Sequence, residues 1–385
     1  MISSRNCGKN ERPAKQKIKS IRLMNILIDI GHPAHVHLFK NAARKFIEDG
    51  HSVLFTCRDK EFEIQLLETN GFNYVSFGKK FKSLTGKIWG LLKFVMKEWK
   101  VCLRFKPDVL LSHGSPYAAI ASRLYGKPHI TFDDTFNMEQ VRLFEPFSKV
   151  VLTGKYEHPV ISRKEIHYDA YHELAYLHPK YFTPDASVLE DLHVSPDEKY
   201  VLVRFVAWNA SHDIGHAGIS AKNKINAIQT LSRYAKVFIS SEGSLPAELE
   251  RFRLKTRPEQ LHSVIAFASL VWGESLTIPS EASVLGVPSV VNHNTKSCIL
   301  EDQKKRYDIC YTYSESYEDQ LKALNKCVEI LKRNKDEIRT LWAEKSRLLV
   351  SEHIDLTAFL VWFVENYPSS KDVIQNNPDY QYIFR

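Results

Sequence analysis

Between Leu270 and Val291 the chain reads LVWGESLTIPSEASVLGVPSVV, a pattern that few folds accommodate. Leu270, Val271 and Trp272 form a short apolar strand, and Ser275 and Thr277 stand where a helix should start. Gly286 and Pro288 end that helix and launch a second strand over Ser289 to Val291. A strand, a small-residue turn, a helix and another strand in so short a span form a phosphate-site architecture. The helix start presents unpaired N–H groups and a positive dipole end, so anions bind there without a special side chain. Glu281 follows Thr277 by about one turn on the same face, its carboxylate able to accept two hydroxyls of a ribose. On this stretch alone an ordinary strand–helix–strand unit with a solvated Glu281 is an equal reading, because fold does not fix function.

Strand-like runs alternate with helical patterns from Asn25 onward, which predicts an α/β protein with parallel sheets and crossover helices. Strands are expected at Asn25 to Ile30, Ser52 to Thr56, Tyr74 to Phe77, Val109 to Ser112, His129 to Phe132 and Lys149 to Leu152, with a helix from about His37 to Asp49. A second set is expected at Tyr200 to Phe205, Lys236 to Ser240, Leu270 to Trp272 and Ser289 to Val291, followed by three closing helices. The domain reading is a basic tail over 1–23, a Rossmann-like domain over 24–154, a polar, His-rich interdomain connection over 155–199, a second Rossmann-like domain over 200–350, and a C-terminal helix and tail over 351–385.

The chain has 385 residues, enough for two domains, and its 44% apolar and 25% charged residues describe a globular protein rather than a disordered or fibrous one. Its six cysteines show neither a Cys-x-x-Cys pair nor metal-ligand spacing, so reduced thiols in a cytoplasmic protein are expected. Of the formal charge of +8, seven Lys or Arg against Glu11 alone put +6 in the first 23 residues. That tail reads either as a flexible basic arm or as sequence upstream of a start at Met24, and it lacks the apolar centre of a signal peptide.

Four motifs carry a resemblance across most of Met24 to Tyr367: Gly31-His32-Pro33-Ala34-His35, Asp133-Asp134-Thr135, Glu173-Leu174-Ala175-Tyr176-Leu177, and Glu281-Ala282 followed by Leu285-Gly286-Val287-Pro288. With them the chain resembles a prokaryotic family of GT-B-like proteins of unknown function, predicted to be glycosyltransferases and related to MurG-type glycosyltransferases and non-hydrolysing UDP-N-acetylglucosamine 2-epimerases. The resemblance implies a GT-B fold, in which two Rossmann-like domains face a cleft. It further implies a donor site where Glu281 holds the ribose and the preceding turn, here Ser275-Leu276-Thr277, holds the diphosphate. One departure is evident: family members carry Gly-Gly-Thr at that turn, and Leu276 puts a side chain where backbone and phosphate should approach closely.

Inverting glycosyl transfer needs a base at the acceptor hydroxyl, and an imidazole titrates in the useful range. His35 occupies the position of the His in the Gly-x-x-x-His loop of lipid-dependent N-acetylglucosaminyltransferases, and is the first candidate. His32 and His37 are weaker ones, and all three could instead cap the helix or bond the backbone. Asp133 and Asp134 follow a strand directly and, on an extended chain, point opposite ways, so at most one faces a ligand, unless the pair serves as a helix cap with Thr135. Asp134 is the candidate kept. Arg204 could balance diphosphate charge or be a structural ion-pair partner, with Trp208, Asn209, Ser211, His212 and Asp213 in the loop beyond it. Ser240, Ser241, Glu242 and Gly243 end the next strand and could line a nucleotide pocket. The chain has no Asp-x-Asp pair, so neither a divalent ion nor another cofactor is implied.

The stretch Thr85 to Phe105 is amphipathic, with Lys93, Lys97, Lys100 and Arg104 on one face, Trp89 and Met96 at its edge, and Lys79, Lys80 and Lys82 just before it. It reads either as a crossover helix with a solvated face or as a surface for anionic headgroups. Lysines interrupt its apolar run too often for a membrane span. No nucleic-acid-binding module is present. The combined expectation is a cytoplasmic, metal-independent, inverting glycosyltransferase, peripheral on the inner membrane face. Its donor would be a UDP-sugar or other nucleotide-sugar, and its acceptor a glycan or lipid-linked precursor of polysaccharide biosynthesis. A UDP-sugar 2-epimerase is the enzyme alternative, although the Gly-Thr-Arg-Pro-Glu loop of those epimerases is missing. A non-catalytic nucleotide-sugar or glycan-binding subunit is the other.

Overall fold

The computed structural model of the chain describes residues 22–59, 61–79, 84–206, 218–241 and 243–385. The basic tail up to residue 21, Lys80, Lys82, the set from Trp208 to Asp213, and Glu242 lie outside the described residues.

Two parallel sheets form the frame. The first contains β1 (Asn25–Ile30), β2 (Ser52–Asp59), β3 (Tyr74–Lys79), β4 (Val109–His113), β5 (His129–Phe132), β6 (Val150–Gly154) and β7 (Glu165–Tyr168), in the order β3-β2-β1-β4-β5-β6-β7. The second contains β8 (Tyr200–Phe205), β9 (Lys236–Ser241), β10 (Leu270–Gly273), β11 (Ser289–Asn292) and β12 (Cys310–Tyr313), in the order β12-β11-β10-β8-β9. Central strands such as β1, β4 and β8 are buried almost throughout, as expected for apolar runs covered by helices on both faces.

The first domain does not stop at residue 154. β7 pairs in parallel with β6, and Tyr168 to Leu177 is buried, so the first part of the expected connection is core. β7 escaped the sequence reading because Glu165 and His167 alternate with Ile166 and Tyr168, and no apolar run results. β12 is short, half-exposed and lies at a sheet edge, and was missed for the same reason.

The helix Leu356–Glu365 packs against the helices Pro33–Glu48 and Leu174–Leu177, so the C-terminal segment returns to the first domain. Its docking is fixed by a backbone bond from Ile354 to Asp169 (3.0 Å), while Asp355 ties the segment to its own end through Phe384 (2.8 Å). Among the described residues, no helix is long and apolar enough to cross a membrane.

Candidate active site

The strand order reverses between β1 and β4 in the first sheet and between β8 and β10 in the second, and ligands of such folds bind beyond the carboxyl ends of strands at these points.

At the first crevice the helix begins at Pro33, four residues earlier than expected. Proline suits the first helical position, and His32 caps the turn by accepting the Ala34 N–H at Nδ1 (3.2 Å), so His32 has the capping role. His35 therefore lies in the first helical turn rather than in a loop. Its Nδ1 accepts the Gly31 N–H at 3.2 Å. A backbone N–H can only donate, so the proton of the neutral ring is on Nε2. Burial, followed by the neighbouring His113 and His32, holds the His35 pKa well below the usual value, which keeps the ring neutral. In that state His35 offers a donor, not a proton acceptor.

The ring of His113, at the end of β4, lies 4.5 Å from that of His35. Its Nε2 donates to Asp134 Oδ1 at 2.9 Å, and His172 Nδ1 donates to Asp134 Oδ2 at 2.9 Å. Burial works against ionising Asp134, yet His172 and then His113 outweigh it and hold the carboxyl well below its usual range. Burial lowers His113 in turn, but the charge and hydrogen bond of Asp134 outweigh it and raise its pKa. With Nε2–H committed to the carboxylate, the lone pair of neutral His113 is on Nδ1. Asp133 points elsewhere, as expected of neighbours on an extended chain, and accepts the Phe136 N–H at 2.8 Å to close the turn.

A buried frame supports this cluster. Asp29 on β1 accepts from Thr56 (2.9 Å), Arg58 and Ser115, and Ser115 also caps the helix Pro116–Tyr125 after β4. One carboxylate thus ties β1, β2 and the turn after His113 together.

At the second crevice a Cβ on Gly273 would stand 2.0 Å from the Arg204 carbonyl oxygen, so only glycine allows β10 to lie this close to β8. Arg204 donates to Ser240 at 2.7 Å. Ser241 closes a local turn on Gly243, and Ser275 accepts the Ile278 N–H at 3.4 Å at the start of the helix Thr277–Val284, where Thr277 is exposed. Glu274 is fully buried and accepts the N–H groups of Val206 (2.9 Å) and Ile219 (2.6 Å) and the Lys224 ammonium (3.1 Å), so one side chain ties β8 to the start of the segment that leads into the helix Ala221–Leu231.

Glu281 is buried at the seam between domains, not open at the helix mouth. Its Oε1 accepts from Tyr176 Oη (2.9 Å) and His262 Nε2 (3.1 Å), and His37 packs edge-on against His262 at 4.5 Å. Of the two acceptor oxygens expected for a ribose, one already takes two hydrogen bonds.

Glu173 is also buried here, with Oε2 unpartnered. Burial raises its pKa to about 8, and the charges of Asp134 and Glu281 add to this. A cavity of about 180 Å³ lies beyond β11 and β12, lined in part by Leu276, His293, Asn294, Lys296 and Ser297. A larger one, about 560 Å³, surrounds His193, Lys199 and Tyr234 at the amino ends of β8 and β9, away from both crevices.

Sequence reasoning missed His113, His172, Glu173 and Glu274 as site residues. His113 stands one residue beyond the expected end of β4, and that position was the available signal. Glu173 opens one of the four motifs but had no role assigned to it.

This architecture belongs to a class with known members. A family model described as "Protein of unknown function (DUF354)" matches residues 24–353, and the chain belongs to that family. No curated protein matches. Among solved structures the chain is similar to the S. aureus MnaA–UDP co-structure (TM-score 0.64, 12% identity, 90% of this chain and 98% of that one) and to the UDP-N-acetylglucosamine 2-epimerase of Rickettsia bellii (0.62, 15%, 92% and 99%). It is also similar to MurG of Acinetobacter baumannii (0.55, 12%, 89% and 99%). The fold is GT-B.

Proposed function

We propose that this chain is a metal-independent glycosyltransferase that moves a sugar from a UDP-sugar, with inversion, to a hydroxyl of a glycan or lipid-linked acceptor. The observation that carries this reading is the His113–Asp134 pair at the first crevice. A carboxylate that holds one imidazole nitrogen as a donor leaves the other as a base, and stabilises the imidazolium once the proton arrives. In this mechanism His113 Nδ1 takes the acceptor proton and the His35 Nε2–H orients the acceptor or an anionic oxygen. The start of the helix Thr277–Val284, with Arg204, faces the diphosphate, and the remaining oxygen of Glu281 meets the ribose. A UDP donor is favoured by the UDP of the S. aureus neighbour and the UDP-GlcNAc bound to the Neisseria meningitidis UDP-GlcNAc 2-epimerase.

One observation favours a second reading. Glu173 is held protonated while Asp134 is held ionised, and groups whose pKa values are pushed apart suit the acid and base of a sugar-nucleotide 2-epimerase.

The proposed setting is the cytoplasmic face of a membrane. On the helix Leu84–Phe105, Trp89, Leu92, Met96 and Leu103 are exposed beside the exposed Lys93, Lys100 and Arg104.

The test is to incubate the chain with UDP-sugars, with and without lipid-linked and free glycan acceptors, and to resolve the products. UDP release that depends on acceptor supports transfer, and an epimeric UDP-sugar without acceptor supports the second reading. Sugar-nucleotides returned unchanged under every condition would refute both.

A further inference from the structure

A second cluster of histidines and a carboxylate lies away from both crevices, at the outer edge of the first sheet. His158, in the segment joining β6 to β7, and Glu165 and His167 on β7 each bring one ligand atom within 4.8 Å of the others. The spacing has a simple origin: residues two apart on a strand share a face, so Glu165 and His167 stand side by side. We propose that these three residues form a binding site for a divalent transition ion, of which zinc is the best match.

In each of the three side chains the other polar atom is already engaged. His158 Nδ1 donates to the Pro159 carbonyl at 2.9 Å, which leaves its lone pair on Nε2. His167 Nδ1 pairs with the Thr153 hydroxyl at 2.9 Å, and its Nε2 lies 3.8 Å from Glu165 Oε2. Glu165 Oε1 accepts two backbone N–H groups, from Ile161 (2.5 Å) and Ser162 (2.6 Å), which fix the carboxylate. Its side chain is only 5% exposed, and Oε2 has no hydrogen-bond partner. A buried carboxylate oxygen without a donor is costly, and a cation between it and the imidazoles removes that cost. Metal-binding histidines characteristically engage their second nitrogen with a carbonyl, hydroxyl or carboxylate, as both do here. Ligands about 2.0 Å from a tetrahedral zinc stand roughly 3.3 Å apart, so the pair at 3.8 Å needs only a small closure.

The His113–Asp134–His172 cluster also falls within ligand reach, but there each oxygen of Asp134 already receives an imidazole N–H. An ion at the outer cluster would reach the active site indirectly. His158 stacks on Phe136 at 4.3 Å, and the Phe136 N–H closes the Asp133 turn that presents Asp134.

The test uses the full chain without a histidine tag, treated with a chelator and dialysed. Zinc chloride is titrated by calorimetry, and cobalt chloride is followed by visible absorption for the bands of a four-coordinate ion. The expected result is one ion per chain, a tetrahedral cobalt spectrum and a zinc-dependent rise in melting temperature of roughly 5 °C at a hundredfold excess over Kd. His158→Ala and His167→Ala should lose the ion, and His113→Ala should keep it. Glu165→Gln retains an oxygen for the two backbone N–H groups, so it separates loss of the ligand from loss of the fold. Absence of stoichiometric binding in the wild type, or binding that survives both outer substitutions and disappears in His113→Ala, overturns the proposal.

Discussion

At the first crevice four titratable side chains meet: Asp134 joins His113 and His172 by hydrogen bonds, and His35, kept neutral chiefly by burial, lies beside them. At the second crevice the polar side chains are engaged with backbone or with each other. Ser275 accepts the Ile278 N–H, Ser241 closes a turn, Glu274 holds the backbone of Val206 and Ile219, and Glu281 anchors Tyr176 and His262. The difference fits the division of work proposed above. Groups whose charge state is tuned by neighbours are suited to moving protons, whereas a rigid turn with free helix N–H groups is suited to holding an anion in place.

The largest effect should follow from removing the proposed base. His113→Ala is expected to lower turnover about 100- to 10,000-fold while UDP affinity stays near wild type. The pH profile sharpens this. A base must be neutral to act, and Asp134 holds the pKa of His113 above its ordinary 6.5, so kcat/KM should fall as pH drops through a value above 6.5. Asp134→Asn should move that fall to lower pH and reduce the rate as well. If His113→Ala turns over normally and His35→Ala does not, the roles of the two histidines are reversed.

Next in size is Glu281→Ala: if Glu281 meets a ribose as proposed, the substitution should cost hydrogen bonds of about 1.5–3 kcal/mol, equivalent to roughly 10- to 150-fold in UDP affinity by calorimetry. Tyr176→Phe is the control. It frees one bond at Oε1 without touching the carboxylate, so affinity should hold or improve. Unchanged affinity in Glu281→Ala would make this residue a seam contact only, and the second crevice would lose its assigned ligand.

Much of this contrast could be read from the residues, and the remainder could not. Apart from β7, the strand runs from Asn25 to Val291 announced themselves as short apolar stretches, most of them covered on both faces, and the turn at Gly273 announced itself by small residues. β7 alternates Glu165 and His167 with apolar residues, and β12 is a four-residue edge strand interrupted by Thr312, so nothing distinguished them from loop. Site roles were hidden for another reason: His113, Asp134 and His172 belong to three separate stretches that only the sheet order brings together. His32 and His35 were legible as residues of the crevice. Their roles depended on which ring nitrogen meets a backbone N–H, and spacing does not encode that.

A smaller effect tests the seam through stability. The carboxyl of Glu173 has an ordinary pKa of 4.5 and about 8 in the folded chain, so between these values the folded state binds the extra proton. Stability should therefore fall as pH rises from about 4.5 to 8 and level off above that. Glu173→Gln cannot ionise and should flatten this slope, as melting temperatures from pH 5 to 9 would report. An unchanged slope would locate the alkaline sensitivity in another group.

The smallest expected effect concerns the helix Leu84–Phe105 of the first domain, which exposes Trp89, Leu92, Met96 and Leu103 beside cations. Each Lys or Arg near an anionic bilayer contributes about 1 kcal/mol, and salt screens it, so binding should be modest and weaker, though still measurable, at high ionic strength. Lys97 is half-buried and donates to the Phe77 carbonyl at 2.8 Å, which makes it a poor site for charge reversal. The informative variant is Lys93→Glu with Lys100→Glu and Arg104→Glu, compared with wild type in chains started at Met24 so that the basic tail does not contribute. Co-sedimentation with anionic vesicles at low salt should pellet the wild type and leave the variant in solution. Trp89→Ser should weaken binding at both low and high salt, because its contribution is apolar and unscreened. Equal pelleting of all three chains would reduce this helix to a crossover element and favour a water-soluble acceptor.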